Sequence, residues 1–474
     1  MRMKRTARLT GSLVLPLLLI PAYALPAAGQ TVDTIDPALR NQIDSVAAEV
    51  LRKTGVPSAS VAVLQHGKLV YTHAYGLASI APPRPATTEM RYAIGSISKQ
   101  FTAAAILLLQ QEGKLSLDDP VGKYIPGLTG GDEITMRELL SHTSGYRDYW
   151  PEDYVMPPMM RPGTSQQILD TWAKGPLDFS PGTKWQYSNT NYVIAGQIVE
   201  KVSGEPVMQF LTERIFRPLG MNSVRDFDQN GLGAGDPTGY HRQALGPLRP
   251  APQEGRGWMS AAGELAMTAH DLALWDISLI DETVLKPESY RQMFTEVRLK
   301  DGKGTHYGLG VQVLERDGRR VIEHSGEVAG FVSDNEVLID DGDAVVVLTN
   351  QIAANAAGGI AHRVAQLLTG TQLSLSTEEQ DAYGIYRGLQ NGEIDRKRLS
   401  PNLNAYFSAQ ALQDFKTGLG PLGEPSEFKL VHSEDRGGMT FRVFTIAYPD
   451  RRLELTTYTY PNGMLEQYLI APEQ

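Results

Sequence analysis

The chain has 474 residues, 42% of them hydrophobic, and contains 46 Gly, 29 Pro and no Cys. This length predicts a large globular unit followed by a smaller module. The missing cysteines exclude disulfides, thiolate metal sites and a lipoprotein attachment site. The formal net charge of −10 argues against a nucleic-acid partner, since such a partner would repel an acidic protein.

Residues 1–29 have the pattern of a secretory signal peptide: a basic start, an apolar run at 11–20, and small residues before a possible cleavage after Ala24 or Gly29. The apolar run is short and is interrupted by prolines, so we expect no stable membrane anchor. The 29 residues include four basic and no acidic side chains, so the remaining chain carries −14 instead of −10. We predict a secreted or periplasmic protein.

Residues 30–370 are predicted to form the large domain. A helical pattern at 34–54 is followed by a β-hairpin. Later strands are predicted before a final helix at 353–368. The predicted strands are 58–65, 69–75, 309–315, 320–324, 330–338 and 344–348. This order favours an α+β fold, with one antiparallel sheet built from both ends of the domain and the terminal helices on one face. The middle, 102–300, is predicted to form a mostly helical lobe, with a cleft between the lobes.

Residues 371–474 are predicted to form a small α+β domain. A capping box, Ser376 with Glu379, begins a helix that runs to about residue 389, and a second helical pattern covers 403–415. Four predicted strands follow, at 428–432, 439–448, 453–460 and 464–470. We find no catalytic pattern here, and expect this domain to pack, dimerise or shape the cleft.

The stretch around Ser96 carries the first chemical signal. Residues 101–109 are apolar on every side, which predicts a helix buried in the core. Lys99 lies three positions after Ser96, so both side chains share one helix face about 5–6 Å apart. A desolvated lysine near the helix N-terminus is shifted towards its neutral form and is able to activate a serine hydroxyl. A second Ser-x-x-Lys match, at 426–429, lies in an alternating stretch that resembles a strand, where residues three apart face opposite sides.

Two further triplets follow in the chain. Tyr187-Ser188-Asn189 precedes a helical pattern, and His324-Ser325-Gly326 ends a predicted strand. Taken singly, the first is typical of a helix-capping turn and the second of a structural histidine. His142 is expected to fix a loop, and Arg256 is interpreted as a surface charge.

The order Ser-x-x-Lys, Tyr-x-Asn, His-x-Gly resembles the three motifs of the serine β-lactamase and penicillin-binding-protein superfamily, with His in place of the more usual Lys-Thr-Gly. Four more stretches resemble its class C and DD-peptidase branch: 139–145 (Leu-Leu-Ser-His-Thr-Ser-Gly), 261–265 (Ala-Ala-Gly-Glu-Leu), 307–310 (Tyr-Gly-Leu-Gly) and 348–350 (Leu-Thr-Asn). The resemblance covers roughly residues 38–368 and implies that superfamily's fold.

The resemblance also implies catalytic roles. Ser96 is the acylated nucleophile, and Lys99 and Tyr187 share the work of general base and acid. A tyrosine pKa near 10 would have to be lowered by the adjacent ammonium for a phenolate to help. Since Lys99 and Tyr187 titrate together, the sequence assigns the base to neither.

The implied substrate-binding residues are Asn189, His324, Gly326 and Glu327. Asn189 would orient the lysine and hold the substrate amide, while the backbone N–H groups of Ser96 and Glu327 would form the oxyanion hole. Because His is largely neutral above about pH 6.5, we expect weaker carboxylate recognition and more pH-sensitive turnover than in a Lys-Thr-Gly enzyme.

The function predicted is an exported serine hydrolase that cleaves a peptide, amide or ester through a Ser96 acyl-enzyme, as a DD-carboxypeptidase, D-aminopeptidase or esterase does. The alternatives are a β-lactamase and a penicillin-binding sensor acylated without turnover. A metallo-hydrolase is disfavoured, because the nine His are scattered and form no ligand cluster. We expect a small-molecule or peptide substrate, with no metal and no cofactor.

Overall fold

The computed structural model describes residues 32–152, 154–244, 246–316, 318–370, 376–448 and 451–472. The predicted signal peptide, 1–29, lies outside these ranges. Within them, no helix combines the length and the apolar character needed to cross a bilayer.

A seven-stranded antiparallel sheet forms the centre of the large domain. Its strand order is Pro83–Pro85, Lys68–Ile80, Ser58–Gln65, Asp343–Thr349, Phe331–Leu338, Arg319–Val328 and Gln312–Arg316. Ser58–Gln65 pairs with both Lys68–Ile80 and Asp343–Thr349, so strands from both ends of the domain meet there, as the sequence predicts. The hairpin turn at His66 and Gly67 has positive φ at both residues, which matches the twist of the flanking strands.

Both faces of this sheet are covered. The terminal helices Pro37–Thr54 and Ala356–Thr369 pack together on one face, against a core that includes Val61 and Val347. The neighbouring residues Ala62 and Leu348 point the other way, into the large core shared with the helical lobe. The domain therefore has helices on both sides of one sheet.

The helical lobe lies between the early and late strands. Its longer helices are Ser98–Gln111, Asn189–Ser203 and Ala269–Ile280. Its shorter ones are Met136–Leu140, Ser165–Ile168, Val207–Leu211, Arg217–Leu219, Phe227–Asn230 and Pro287–Met293. The lobe also contains two small sheets that the sequence did not predict, formed by Tyr92–Ala93, Leu265–Met267 and Arg225–Asp226, and by Tyr240–His241 and Arg249–Pro250.

The C-terminal part has its own core and its own sheet. The helices Thr377–Gln390, Pro401–Tyr406 and Ala409–Leu419 cover a four-stranded antiparallel sheet of Glu427–Arg436, Met439–Tyr448, Arg451–Thr459 and Leu465–Pro472. The capping box at Ser376 and Glu379 is formed as predicted. The mixed α+β fold is thus the predicted one, and the exact domain boundary near residue 370 stays a prediction.

Candidate active site

Ser96 and Lys99 lie where a short 3₁₀ turn, Gly95–Ile97, leads into the buried helix Ser98–Gln111. The Lys99 Nζ is 2.9 Å from the Ser96 Oγ, 2.8 Å from the Asn189 Oδ1 and 2.7 Å from the Ala262 carbonyl oxygen. The amide and carbonyl oxygens only accept hydrogen bonds. A neutral amine donates its two N–H groups to them and directs its lone pair at the serine hydroxyl.

The environment of Lys99 favours that neutral form. Its side chain has no exposed surface, and burial lowers its pKa to about 7, against the opposing effect of the Asp148 and Glu264 carboxylates. The amine is therefore substantially unprotonated near neutral pH, as a general base must be.

Tyr187 packs beside this pair. Its ring centroid lies 5.0 Å from the Lys99 Nζ, and its hydroxyl interacts with Ser96 without reaching regular hydrogen-bond geometry. Burial raises the pKa of Tyr187, and the interaction with Ser96 offsets only part of that effect. A phenolate at Tyr187 would need a lowered pKa, but desolvation and the Asp148 carboxylate raise the pKa instead, so the hydroxyl stays protonated.

His142 supports the turn that carries Tyr187 and Asn189. Its Nδ1 accepts a hydrogen bond from the Ser188 backbone N–H at 3.1 Å, and its ring lies 4.3 Å from the Tyr187 ring between centroids. Burial holds its pKa well below the usual value, so the ring is neutral. These contacts agree with a loop-fixing role.

His324 is neutral, and its tautomer is fixed by its neighbours. The Nδ1 lies 2.6 Å from the Ser325 carbonyl oxygen, which only accepts, so Nδ1 carries the proton. Nε2 then accepts from the Tyr307 hydroxyl at 2.8 Å. Burial and Lys99 lower the His324 pKa to about 3. The expected pH sensitivity at His324 is therefore wrong, because the ring does not change its charge near neutral pH.

The two predicted oxyanion donors lie on segments pressed against each other. A Cβ on Gly326 would be 1.9 Å from the Ile94 carbonyl oxygen, and one on Gly95 would be 2.8 Å from the Glu327 nitrogen. Only glycine permits this approach. The sequence predicted that this strand ends at the His-Ser-Gly triplet. In the structure the strand continues to Val328 along the cleft.

The cleft has a volume of about 550 Å³ and brings all the predicted site residues except Lys99 and Gly326 to its wall. Its lining residues are Ser96, Asp148, Tyr149, Trp150, Pro151, Glu152, Trp185, Gln186, Tyr187, Asn189, Met259, Ala262, Gly263, Gln312, His324, Ser325, Glu327, Val328 and Ile352. Lys99 lies beneath the wall in contact with Ser96. In the described ranges, no group of three or more His, Asp and Glu side chains is arranged to hold a metal ion.

Sequence reasoning missed Asp148. Its Oδ1 accepts from the backbone N–H groups of Trp150 and Asn189, at 3.2 and 3.0 Å, and its Oδ2 accepts from the Asn189 Nδ2 at 3.3 Å. In the sequence, Asp148 is marked only as an acidic residue in a loop rich in aromatic residues. That pattern has no fixed spacing to a motif.

Comparisons with known proteins agree on the family to which this chain belongs. The beta-lactamase family model matches residues 43–369. A penicillin-binding protein of Bacillus subtilis is 29% identical over 311 residues, 62% of this chain and 68% of that protein. A D-aminopeptidase of Brucella anthropi is 32% identical over 286 residues, 58% of this chain but only 52% of that protein.

Two solved structures have the same fold. A D-stereospecific amidohydrolase from Streptomyces sp. superposes with a TM-score of 0.61 and 28% identity, over 71% of this chain and 100% of that one. An octameric penicillin-binding protein homologue from Pyrococcus abyssi covers 91% of this chain and 99% of its own, with a TM-score of 0.64 and 22% identity. The chain belongs to the beta-lactamase family and is a serine hydrolase of that superfamily.

Proposed function

We propose that this protein hydrolyses an amide, peptide or ester bond through an acyl-enzyme on Ser96. One observation carries the proposal: a buried lysine whose pKa is about 7 lies 2.9 Å from the serine hydroxyl, with its other contacts made to pure acceptors. A lysine in a purely structural role would have no need of this arrangement.

The reaction follows from the geometry. The neutral Lys99 amine accepts the Ser96 proton while the hydroxyl oxygen attacks the substrate carbonyl carbon. The backbone N–H groups of Ser96 and Glu327 stabilise the developing oxyanion. The leaving group takes a proton from the lysine, with the Tyr187 phenol beside it as a relay. Water then attacks the acyl-enzyme by the same route and releases the acid.

A D-amino acid amide or peptide is the substrate class that we favour. The relatives include a D-aminopeptidase and a D-stereospecific amidohydrolase. The ring that replaces the usual lysine of the third motif is neutral, so it offers no cation for the carboxylate of a β-lactam or of a D-Ala-D-Ala peptide. We further propose that residues 1–29 are removed on export and that the smaller domain begins near residue 371.

The test compares four substrates with the wild type and Ser96→Ala: a nitrophenyl ester, a D-alanine anilide, a D-Ala-D-Ala peptide and a chromogenic cephalosporin. We expect turnover of the ester and the anilide that Ser96→Ala abolishes. Steady turnover of the cephalosporin at a higher kcat/KM than the anilide would indicate a β-lactamase instead. A single product burst with no steady state would indicate a sensor.

A further inference from the structure

The C-terminal domain contains a second cavity, separate from the active-site cleft. It lies between the helix Thr377–Gln390 and the inner, helix-covered face of the four-stranded sheet, and its volume is about 170 Å³. Pockets that hold drug-sized ligands are larger, roughly 300–1,000 Å³. No described residue lines both this cavity and the active-site cleft. The cavity is therefore sized for one small molecule, and the residues of this domain alone determine what it binds.

The floor of the cavity is apolar. It is formed by side chains that are each less than a tenth exposed: Ala382, Ile385, Phe444, Leu465 and Tyr468. The Tyr468 hydroxyl is used within the protein, because it donates to the Ala382 carbonyl oxygen at 2.7 Å. This floor suits an apolar group of a ligand, which loses its contact with water when it packs there.

Arg442 lies on the inner face of the sheet, where a hydrophobic residue would be expected. Phe444, two positions further along the same strand, is buried in the domain core, and alternate residues of a strand share one face. Thr457 on the next strand lies directly opposite Arg442 in register, and both line the cavity. Within the part of the chain that the structure describes, the Arg442 guanidinium makes no hydrogen bond or ion pair. An unpaired guanidinium beside a hydroxyl is suited to bind a carboxylate.

The other charged side chains of the lining leave one carboxylate available. Asp381 and Arg398 neutralise each other, since the two Asp381 oxygens lie 3.4 and 3.2 Å from the guanidinium nitrogens. Glu378 lies three residues before Asp381 on the same helix face and is exposed. It also makes no hydrogen bond or ion pair within the described ranges. The cavity therefore presents one unpaired cation, Arg442, and one unpaired anion, Glu378, beside an apolar floor.

We propose that this cavity binds a free amino acid with an apolar side chain. The ligand carboxylate binds Arg442 and Thr457, its ammonium binds Glu378, and its side chain packs on the floor. Each charge of such a zwitterion meets the opposite charge of the protein. A ligand with only one of these charges leaves a protein charge unpaired. The site goes beyond the proposed function and does not depend on the Ser96 chemistry.

The experiment measures the binding of three probes to the full-length protein by isothermal titration calorimetry. The probes are leucine, tested as each enantiomer, 4-methylpentanoate, which is leucine without its amine, and 3-methylbutylamine, which is leucine without its carboxylate. The variants are Arg442→Gln and Glu378→Gln, with Arg436→Gln as the matched control, an exposed arginine outside the cavity. We expect the wild type and the control to bind at least one leucine enantiomer about 10- to 100-fold more tightly than either analogue.

The two cavity variants should lose different parts of this preference. Arg442→Gln should bind leucine no more tightly than 3-methylbutylamine, and Glu378→Gln should bind it no more tightly than 4-methylpentanoate. Leucine binding of equal strength in Arg442→Gln and the control, or no heat of binding with the wild type up to the solubility limit of leucine, overturns the inference. If Arg442→Gln does not fold, Glu378→Gln decides, because an unchanged preference for leucine over 4-methylpentanoate also overturns it.

Ester turnover by Ser96 provides an independent readout. It should be the same in the wild type and in all three variants, because none of the substituted residues lines the active-site cleft. Absence of Ser96-dependent turnover from a protein that still binds leucine through Arg442 would overturn the proposed function and leave this site in place.

Discussion

The Lys99 amine nitrogen lies 2.9 Å from the Ser96 hydroxyl oxygen, on a side chain with no surface exposed to solvent. This single relationship combines a nucleophile, a base and the burial that makes the base effective. The Tyr187 phenol, whose pKa burial raises, remains protonated beside them and is suited to relay a proton rather than to remove one.

The first prediction concerns pH. Because Lys99 must be neutral to accept a proton and its pKa is about 7, kcat/KM for a neutral ester should rise about tenfold per pH unit below 7 and level off above it. Steady-state kinetics between about pH 5.5 and 9 would measure this. A flat profile across that range would contradict the assignment of Lys99 as base.

The second prediction concerns stability. The folded state lowers the Lys99 pKa from 10.5 to about 7, so the unfolded chain binds the proton more tightly between those values. The burial cost is greatest below pH 7 and disappears as the pH rises to 10.5. Lys99→Met should therefore be inactive yet more stable at pH 6, by on the order of 1 kcal/mol.

Urea unfolding of both proteins at several pH values would test this. The advantage of Lys99→Met should shrink between pH 7 and 10.5. An inactive variant that is less stable at every pH would mean that the lost contacts to Asn189 and Ala262 outweigh the burial of the amine.

The Ser96 and Lys99 pair could be predicted from sequence because i, i+3 spacing on a helix fixes the distance between two side chains. The sheet could be predicted because its strands carry continuous buried runs, as in Ser58–Gln65. The surroundings of His324 could not be predicted in either way. Its Nε2 accepts a hydrogen bond from the hydroxyl of Tyr307, a residue 17 positions away that meets it only in the folded chain.

Other parts of the site also depend on tertiary contacts. The sequence pattern predicted the end of a strand at Gly326. In the structure the strand continues, and a glycine is needed there because the Ile94 carbonyl oxygen lies too close for a Cβ. Asp148 lies in a loop, 41 residues before the Asn189 that it holds. No local periodicity relates such positions.

The third prediction concerns substrate charge at His324. His324→Lys places a cation in the cleft, so acylation by a chromogenic cephalosporin, which carries a carboxylate, should become roughly tenfold faster, as expected for one charge-assisted contact. Stopped-flow measurement with the cephalosporin, and with a neutral ester as the control substrate, would separate improved carboxylate binding from a general change in the rate of acylation. An equal change for both substrates would argue against carboxylate recognition at this position.

The fourth prediction concerns the glycine contact. Gly326→Ala puts a Cβ against the backbone oxygen of Ile94, and should destabilise the fold by about 3 kcal/mol or abolish activity. Gly384→Ala is a matched control, because its Cβ would meet nothing within 4 Å and the position is helical. Chemical denaturation should show the control at or above wild-type stability. Similar losses in both variants would rule out a special role for the Gly326 contact.

Activation of Ser96 by Lys99 is tested by reacting the protein with a fluorophosphonate and mapping the modified residue by mass spectrometry. We expect one adduct, on Ser96, which forms faster as the pH rises through 7 and is slowed by at least about 100-fold in Lys99→Met. An adduct on another residue, or labelling of Ser96 at the same rate without the lysine, would contradict it.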